Sequence, residues 1–426
     1  MTKPQVIQAG EHANPHALAS IMRASEHCEI VAQEDIVDEH GAKLWARNQP
    51  VSRELQHRLL ERKLRQPLES CLRAANGVTH AELAEIARGL IDREASLHSA
   101  VSPWAAELLA DIPQLPLHPV VQLLLTAARS SLPGTFDHAI RGMLVAGAMA
   151  AHAGGDRYQQ RISMLGGLLH DLGELYIQPD YLLADCALSP TAWRHIVVHP
   201  KVGEMLLQRQ TDYPKELSRA VGEHHERGNG MGYPARARHL SWLGCRLSAM
   251  ETFLGVLASG RPEAWEHASL AARLVPGEFD ASAVAFASQA ARRHQGHSHS
   301  DNAPPQGPDA AAVWDTAQNL KQGIQWALRE AWVLSASSGS DKVSETARTV
   351  TPILEQLMRA CHALGLWAPR HLAGDALDEL HLACQEIGHR LRYLERMSCW
   401  MDDAWSPQES EALSRLWPGA FAGATR

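Results

Sequence analysis

Apolar residues recur at helical spacing along most of this chain, and that period predicts a mainly α-helical protein. Ser52 is a natural N-cap for a helix that turns Leu55, Leu59 and Leu60 inward, and Pro67 interrupts the helical pattern beyond it. Thr79 and Glu82 form a capping-box pattern ahead of Leu83, Ile86 and Leu90 on one face. From about Pro119 to Gly260 the pattern stays helical, broken at glycines, with Ser189 and Pro200 marking two further starts. Beyond it, Ala311 to Leu334, Val350 to Leu366 and Leu372 to Trp400 read as amphipathic helices, the second starting at Thr351-Pro352. Residues 28–51 read instead as a β-hairpin. There Ile30-Val31-Ala32 and Asp35-Ile36-Val37 form one arm of a β-hairpin, Asp38-Glu39-His40-Gly41 its turn and Lys43-Leu44-Trp45 the return.

The length of 426 residues leaves room for about two or three domains. A hydrophobic share of 45% is that of an ordinary globular protein. The longest apolar run, Gly142 to Ala151, is too short to span a membrane, and no signal-peptide core follows Met1, so a cytoplasmic location is expected. The net charge of −8 gives no basis for binding a nucleic-acid polymer, yet a metal site can supply positive charge locally for a phosphate substrate. Seven cysteines without a Cys-x-x-Cys pair argue against a disulfide framework or zinc knuckle. The stretch from Arg292 to Asp309, with His294, His297 and His299, reads as a solvated linker, because nothing nearby would fix ligand geometry.

The chemistry concentrates elsewhere. His170-Asp171 is followed by His199, by His224-His225-Glu226 and by Gly230-Met231-Gly232-Tyr233-Pro234, with His138 upstream. Imidazole and carboxylate are the usual holders of catalytic divalent ions. Any one of these histidines alone is more often a capped or core residue; the spaced set is the specific signal. The adjacent His170 and Asp171 can place an imidazole on one ion and a carboxylate between two, as two-metal sites that activate water for in-line attack on phosphorus do. The loop from Arg227 to Pro234 is too glycine-rich for a helix and turns beside the His224–His225 pair.

In this order the residues resemble the HD-GYP subgroup of the HD phosphohydrolases, over about residues 131–265. Pro179-Asp180-Tyr181-Leu182-Leu183, Leu188-Ser189 through Trp193, and Ala258-Ser259-Gly260-Arg261-Pro262 resemble the family's connecting segments. The 30–51 hairpin resembles a small segment found ahead of some such domains. The resemblance implies an all-helical core, a centre of divalent ions (iron or manganese), and hydrolysis of cyclic di-GMP or a related cyclic dinucleotide. It implies His138, His170, Asp171, His199, His224 and His225 as metal ligands, with Asp171 bridging and central to catalysis. It assigns Gly230, Gly232, Tyr233 and Pro234 to a loop shaping the substrate pocket or a partner surface. On this reading the chain divides into an N-terminal hairpin and helix (1–76), a helical connector (77–130), the metal-binding domain (131–292), a linker (293–310) and a C-terminal helical region (311–426).

Two departures from the family bear on activity. Glu174 stands where a phosphate-facing lysine is usual, and like-charge repulsion should weaken substrate binding. Counting back from Arg261 puts Thr252 where an aspartate normally closes the metal shell; Glu251, next to it, is expected to point about 100° away. No acid lies four residues before His138, where Gly134 stands. One or two ions are therefore expected, one loosely held. Three functions stay open: an active cyclic-dinucleotide phosphodiesterase, a degenerate domain that binds metal, nucleotide or a signalling protein without turnover, and an HD-type hydrolase of another phosphate. The apolar faces after residue 311 leave room for self-association.

Overall fold

The computed structural model describes residues 13–182, 188–261, 263–297, 309–337, 340–368, 374–400 and 405–417. Leu183, Pro262, His299 and Leu372 lie outside them. The chain forms two compact units: one comprises the chain to Leu188 with His195–Glu226 and Tyr233–Gly255, the other Ser189–Arg194, Arg227–Gly232 and everything from Val256 on.

In the first unit, helix α1 (Pro15–Ala24) precedes strands β1 (Ile30–Ala32), β2 (Ile36–Val37) and β3 (Lys43–Trp45). Helices α2 (Arg53–Glu61) and α3 (Leu68–Cys71) follow, then strand β4 (Leu72–Ala74). The expected turn is present: Asp38 accepts the amides of His40 and Ala42, and β2 pairs with β3. The first arm, however, is not continuous. β1 leaves the hairpin and pairs antiparallel with β4, Ile30 opposite Ala74 and Ala32 opposite Leu72. All three β1 side chains are buried, so its sequence lacks the alternation that marks a hairpin arm. Ser52 caps α2 as expected, and Leu55 and Leu59 are buried, but Leu60 is 43% exposed.

Helices α4 (His80–Arg93), α5 (Ala95–Val101), α6 (Ala105–Asp111) and α7 (Pro119–Ser131) lead to the long α8 (Pro133–His152). α8 is buried on most of its circumference from Phe136 to Ala150, as a helix central to a core must be. It packs along α9 (Arg157–Leu169), whose start is fixed by a capping box of Asp156 and Gln159. Close packing needs Gly142 and Gly167: a Cβ on Gly167 would strike the Gly142 carbonyl. A 3-10 turn, Leu172–Tyr176, comes next, and after it α10 (Pro190–Ile196), of which the residues up to Arg194 belong to the second unit, α11 (His199–Gln210), α12 (Lys215–Glu223) and α13 (Trp242–Leu257).

The second unit contains α14 (Ala264–Leu274), α15 (Ala281–His297), α16 (Ala310–Ala336), α17 (Asp341–Ala363), α18 (Asp375–Cys399) and α19 (Pro407–Ser414). Its core includes Ile324, Leu354, Leu357, Ile387 and Leu391. Two expectations are corrected. α15 continues to His297 through residues read as linker, because Phe286, Ala287, Ala290 and Ala291 carry its buried face on to His294. Pro352 does not start a helix but lies inside α17, whose buried stripe already begins at Val343 and Ala347. The fold is mainly α, with two small antiparallel strand pairs among the described residues. No helix among them is long and apolar enough to cross a membrane.

One buried ionic group ties this unit together. Arg390 donates to Glu386 (2.8 Å), to Glu278 and to the Ala271 carbonyl (3.0 Å), and His267 Nε2 lies 3.2 Å from Glu386. Burial alone would raise the Glu386 carboxyl; Arg390 and His267 override it and hold it well below the usual carboxylate range. Arg390→Ala leaves two buried carboxylates without their partner, and a loss of about 3–5 kcal/mol is expected. A depressed carboxyl stabilises the fold above its unfolded pKa near 4.3, and that contribution is lost as pH falls below it. Hydrogen exchange at α18 amides should therefore accelerate from pH 5 to pH 3 beyond the intrinsic rate change. Glu386→Gln should flatten that dependence.

Candidate metal centre

Five helices of the first unit deliver seven polar side chains to one point. His138 comes from α8, His170 from the C-cap of α9 with Asp171 after it, His199 from the first residue of α11, His224 from the C-cap of α12 with His225 after it, and Glu251 from α13. Helix ends are suited to this, because each leaves backbone groups that orient a side chain. His170 Nδ1 donates to the Gly167 carbonyl (2.8 Å), His199 Nδ1 to that of Ile196 (2.8 Å) and His224 Nδ1 to that of Val221 (2.5 Å). A carbonyl can only accept, so in each neutral ring the proton sits on Nδ1 and Nε2 keeps its lone pair.

Those Nε2 atoms converge on Asp171. Its Oδ2 lies 3.0 Å from His170 and 3.6 Å from His138; its Oδ1 lies 3.3 Å from both His199 and His224. Glu251 Oε2 is 3.0 Å from His138 Nε2 and 3.3 Å from His170 Nε2. Two sets of potential ligands result, His138–His170–Asp171–Glu251 and Asp171–His199–His224–His225, with ligand atoms inside 4.8 Å of one another in each. Asp171 belongs to both. The cluster can hold a divalent metal ion.

The donor chemistry fits that use. His170 Nε2 and Asp171 Oδ1 are buried without a hydrogen-bond partner among the described residues, which is costly unless another species satisfies them. His199 Nε2 and His224 Nε2 stand 3.0 Å apart, two lone pairs facing each other. A proton on one ring or a metal ion bound by both would relieve this approach, and 3.0 Å suits neighbouring ligands whose bonds to one ion are about 2.1 Å. Burial disfavours the charged form of both carboxyls, yet the histidines hold Asp171 and Glu251 well below the usual carboxylate range. Burial and the neighbouring imidazoles push His224 down to about 4 and His225 well down. Asp171 and Glu251 in turn draw His138, His170 and His199 above the usual imidazole range against the effect of burial, so a cation, whether protons on these rings or a metal ion that displaces them, balances the ionised carboxylates.

The surroundings restrain this geometry. Gly173, two residues past Asp171, is pressed on the His199 backbone: a Cβ there would strike the His199 carbonyl. Glu226 is buried and accepts the amides of Ala235 (2.6 Å) and Ala237 (2.8 Å), while Glu223 accepts the Ser241 amide (2.9 Å) and hydroxyl (2.6 Å). These flanking carboxylates pin the segment that follows the glycine-rich loop. Within that loop Tyr233 is buried and stacks on His225, ring centroids 4.5 Å apart. Gly230 adopts φ +80°, which favours glycine, and Gly230 and Gly232 belong to the second unit.

The six histidine and aspartate positions singled out in the sequence thus meet at one point. The expectation for α13 is corrected: Thr252 turns away and donates to the Ser248 carbonyl (3.0 Å), and Glu251 supplies the carboxylate. Glu174 accepts a hydrogen bond from Thr135 Oγ1 (2.9 Å), and burial together with the charge of Asp171 raises its carboxyl to about 7.

Residues 135–252 match the HD domain family, a span that contains every member of both sets. Over 125 residues the chain is 31% identical to the cyclic di-GMP phosphodiesterase response regulator RpfG of Xanthomonas campestris pv. campestris, covering 28% of this chain and 33% of that protein. Over 67 residues it is 36% identical to the 3′3′-cGAMP-specific phosphodiesterase 3 of Vibrio cholerae, covering 16% of this chain and 14% of that protein. The chain therefore matches only a third, or less, of the length of these curated relatives.

Proposed function

We propose that this chain is a divergent member of the HD-GYP group of HD domains and a metal-dependent phosphodiesterase of cyclic di-GMP or a related cyclic dinucleotide. The supporting observation is the sharing of Asp171 between two complete four-residue sets. His138, His170 and Glu251 would hold one ion, His199, His224 and His225 the other, and Asp171 both; iron or manganese suits such mixed imidazole and carboxylate donors. Bound ions would supply Lewis-acid chemistry, activating water and neutralising phosphate oxygens. The protein's own part is to fix the ligands through the Nδ1–carbonyl bonds and to keep His225 in place against Tyr233. The substrate class is supported by the relatives' activities, on cyclic di-GMP and on 3′3′-cGAMP.

A second reading, metal or nucleotide binding without turnover, is favoured by one feature: Glu174, an acidic side chain close enough to Asp171 to feel its charge, stands where the family resemblance has a phosphate-facing cation. The readings separate in a single assay. Manganese-loaded protein should convert cyclic di-GMP or 3′3′-cGAMP to linear dinucleotide, and chelation should stop it. Glu174→Lys should lower KM about tenfold, the effect of some 1.4 kcal/mol of regained attraction. Protein with both ions bound and no turnover, with or without Glu174→Lys, would establish the second reading instead.

A further inference from the structure

We propose that Glu69 and Tyr176 are positioning residues that tie the strand-bearing N-terminal segment to the two chain segments carrying Asp171 and His199; the proposal rests on reading Asp171 as the shared ligand. The turn Leu172–Tyr176 follows Asp171 directly, with the Glu174 amide donating to the Asp171 carbonyl (2.9 Å) and the Ile177 amide to that of Glu174 (3.0 Å). Its far end is held from outside. The Tyr176 hydroxyl donates to Glu69 Oε1 (2.6 Å), and Asn14 Nδ2 donates to the Tyr176 carbonyl (3.2 Å). Glu69 is only 7% exposed. A buried carboxylate is costly, and a neutral phenol is a directional rather than a charge-balancing partner. Burial, and then the charge of Glu69, hold the Tyr176 phenol well above its usual pKa, so the proton stays on the donor.

The next residue reaches the second segment. Ser70 Oγ donates to Gln210 Oε1 (3.0 Å), at the last residue of the helix that begins with His199. Behind them, Gln33 donates its side-chain amide to the Ser70 carbonyl, and β4 pairs with β1. Residues 69–70 thus brace the turn after Asp171 at one point and α11 at another, while Gly173 seats that turn on the His199 backbone. A displacement of the strand segment is thereby conveyed to both halves of the centre, a route for regulating it.

Two readouts on the full chain test this. Amide hydrogen exchange at Glu174 and Ile177, measured in chelator, reports the brace without metal; manganese titration reports its consequence. Y176F and E69A should each speed that exchange about tenfold and weaken manganese binding about tenfold, the low end for outer partners of metal ligands. E69Q keeps an acceptor oxygen and should stay within about twofold of the parent in both. T79A removes the N-cap of α4 (Thr79 Oγ1 accepts the Glu82 amide, 3.2 Å), away from the brace, and should lower the melting temperature without moving either readout. Parental exchange and affinity in both Y176F and E69A, or an equal effect of T79A, would overturn the proposal. If the parent protein binds no manganese, the metal reading fails, and the exchange arm alone decides the brace.

Discussion

Asp171→Ala is expected to abolish divalent-metal binding altogether rather than to remove one ion. Its Oδ2 faces His138 and His170 and its Oδ1 faces His199 and His224, so one substitution strips a ligand from both sets. The remaining imidazoles would lose the buried negative charge that offsets a cation. Loss of an outer partner alone costs roughly 10–100-fold in affinity, so loss of the shared ligand should exceed about a hundredfold and end phosphodiester hydrolysis. His199→Ala is the contrast, because it damages one set and should leave about one ion bound. Metal analysis after reconstitution with manganese reads both. An Asp171→Ala protein that retains the parental metal content would remove Asp171 from the centre.

Glu251→Ala should have the next largest effect, and the neighbouring Thr252 should not matter. The Glu251 carboxylate lies 3.0 Å from His138 Nε2 and completes the first set. Removing it should lower manganese binding to about one ion per chain and reduce hydrolysis at least about a hundredfold, in keeping with the loss of one ion of a two-metal clamp. Thr252→Asp should restore neither, because that side chain is turned back on its own helix, its hydroxyl on the Ser248 carbonyl. Rescue of Glu251→Ala by Thr252→Asp would show that the helix presents position 252 to the metal after all.

These two positions also show where reading a sequence stops. The histidines and Asp171 were legible because they recur with their glycine-rich loop in a fixed order, and helix ends then place them. Glu251 was not. α13 is buried on most of its circumference, at Leu243, Leu247, Ser248, Ala249, Met250, Phe253 and Leu254, so no single face marks its inner side. A register counted from Arg261, across the end of that helix, then misses by one residue. The strand pairs divide in the same way. The β2–β3 turn follows from local chemistry at Asp38 and Gly41, whereas the pairing of β1 with β4 joins segments that no local pattern connects. Pro352 shows the converse: a local start signal is overridden by a buried stripe that continues on both sides of it.

The proposed two-ion centre depends on the shared carboxylate, and paramagnetic resonance of the protein titrated with manganese tests it most directly. Two ions about 4 Å apart across one carboxylate should give an exchange-coupled spectrum that grows in as the second equivalent binds. Two equivalents with only the signal of isolated ions, or no specific binding at all, would contradict a centre built around Asp171.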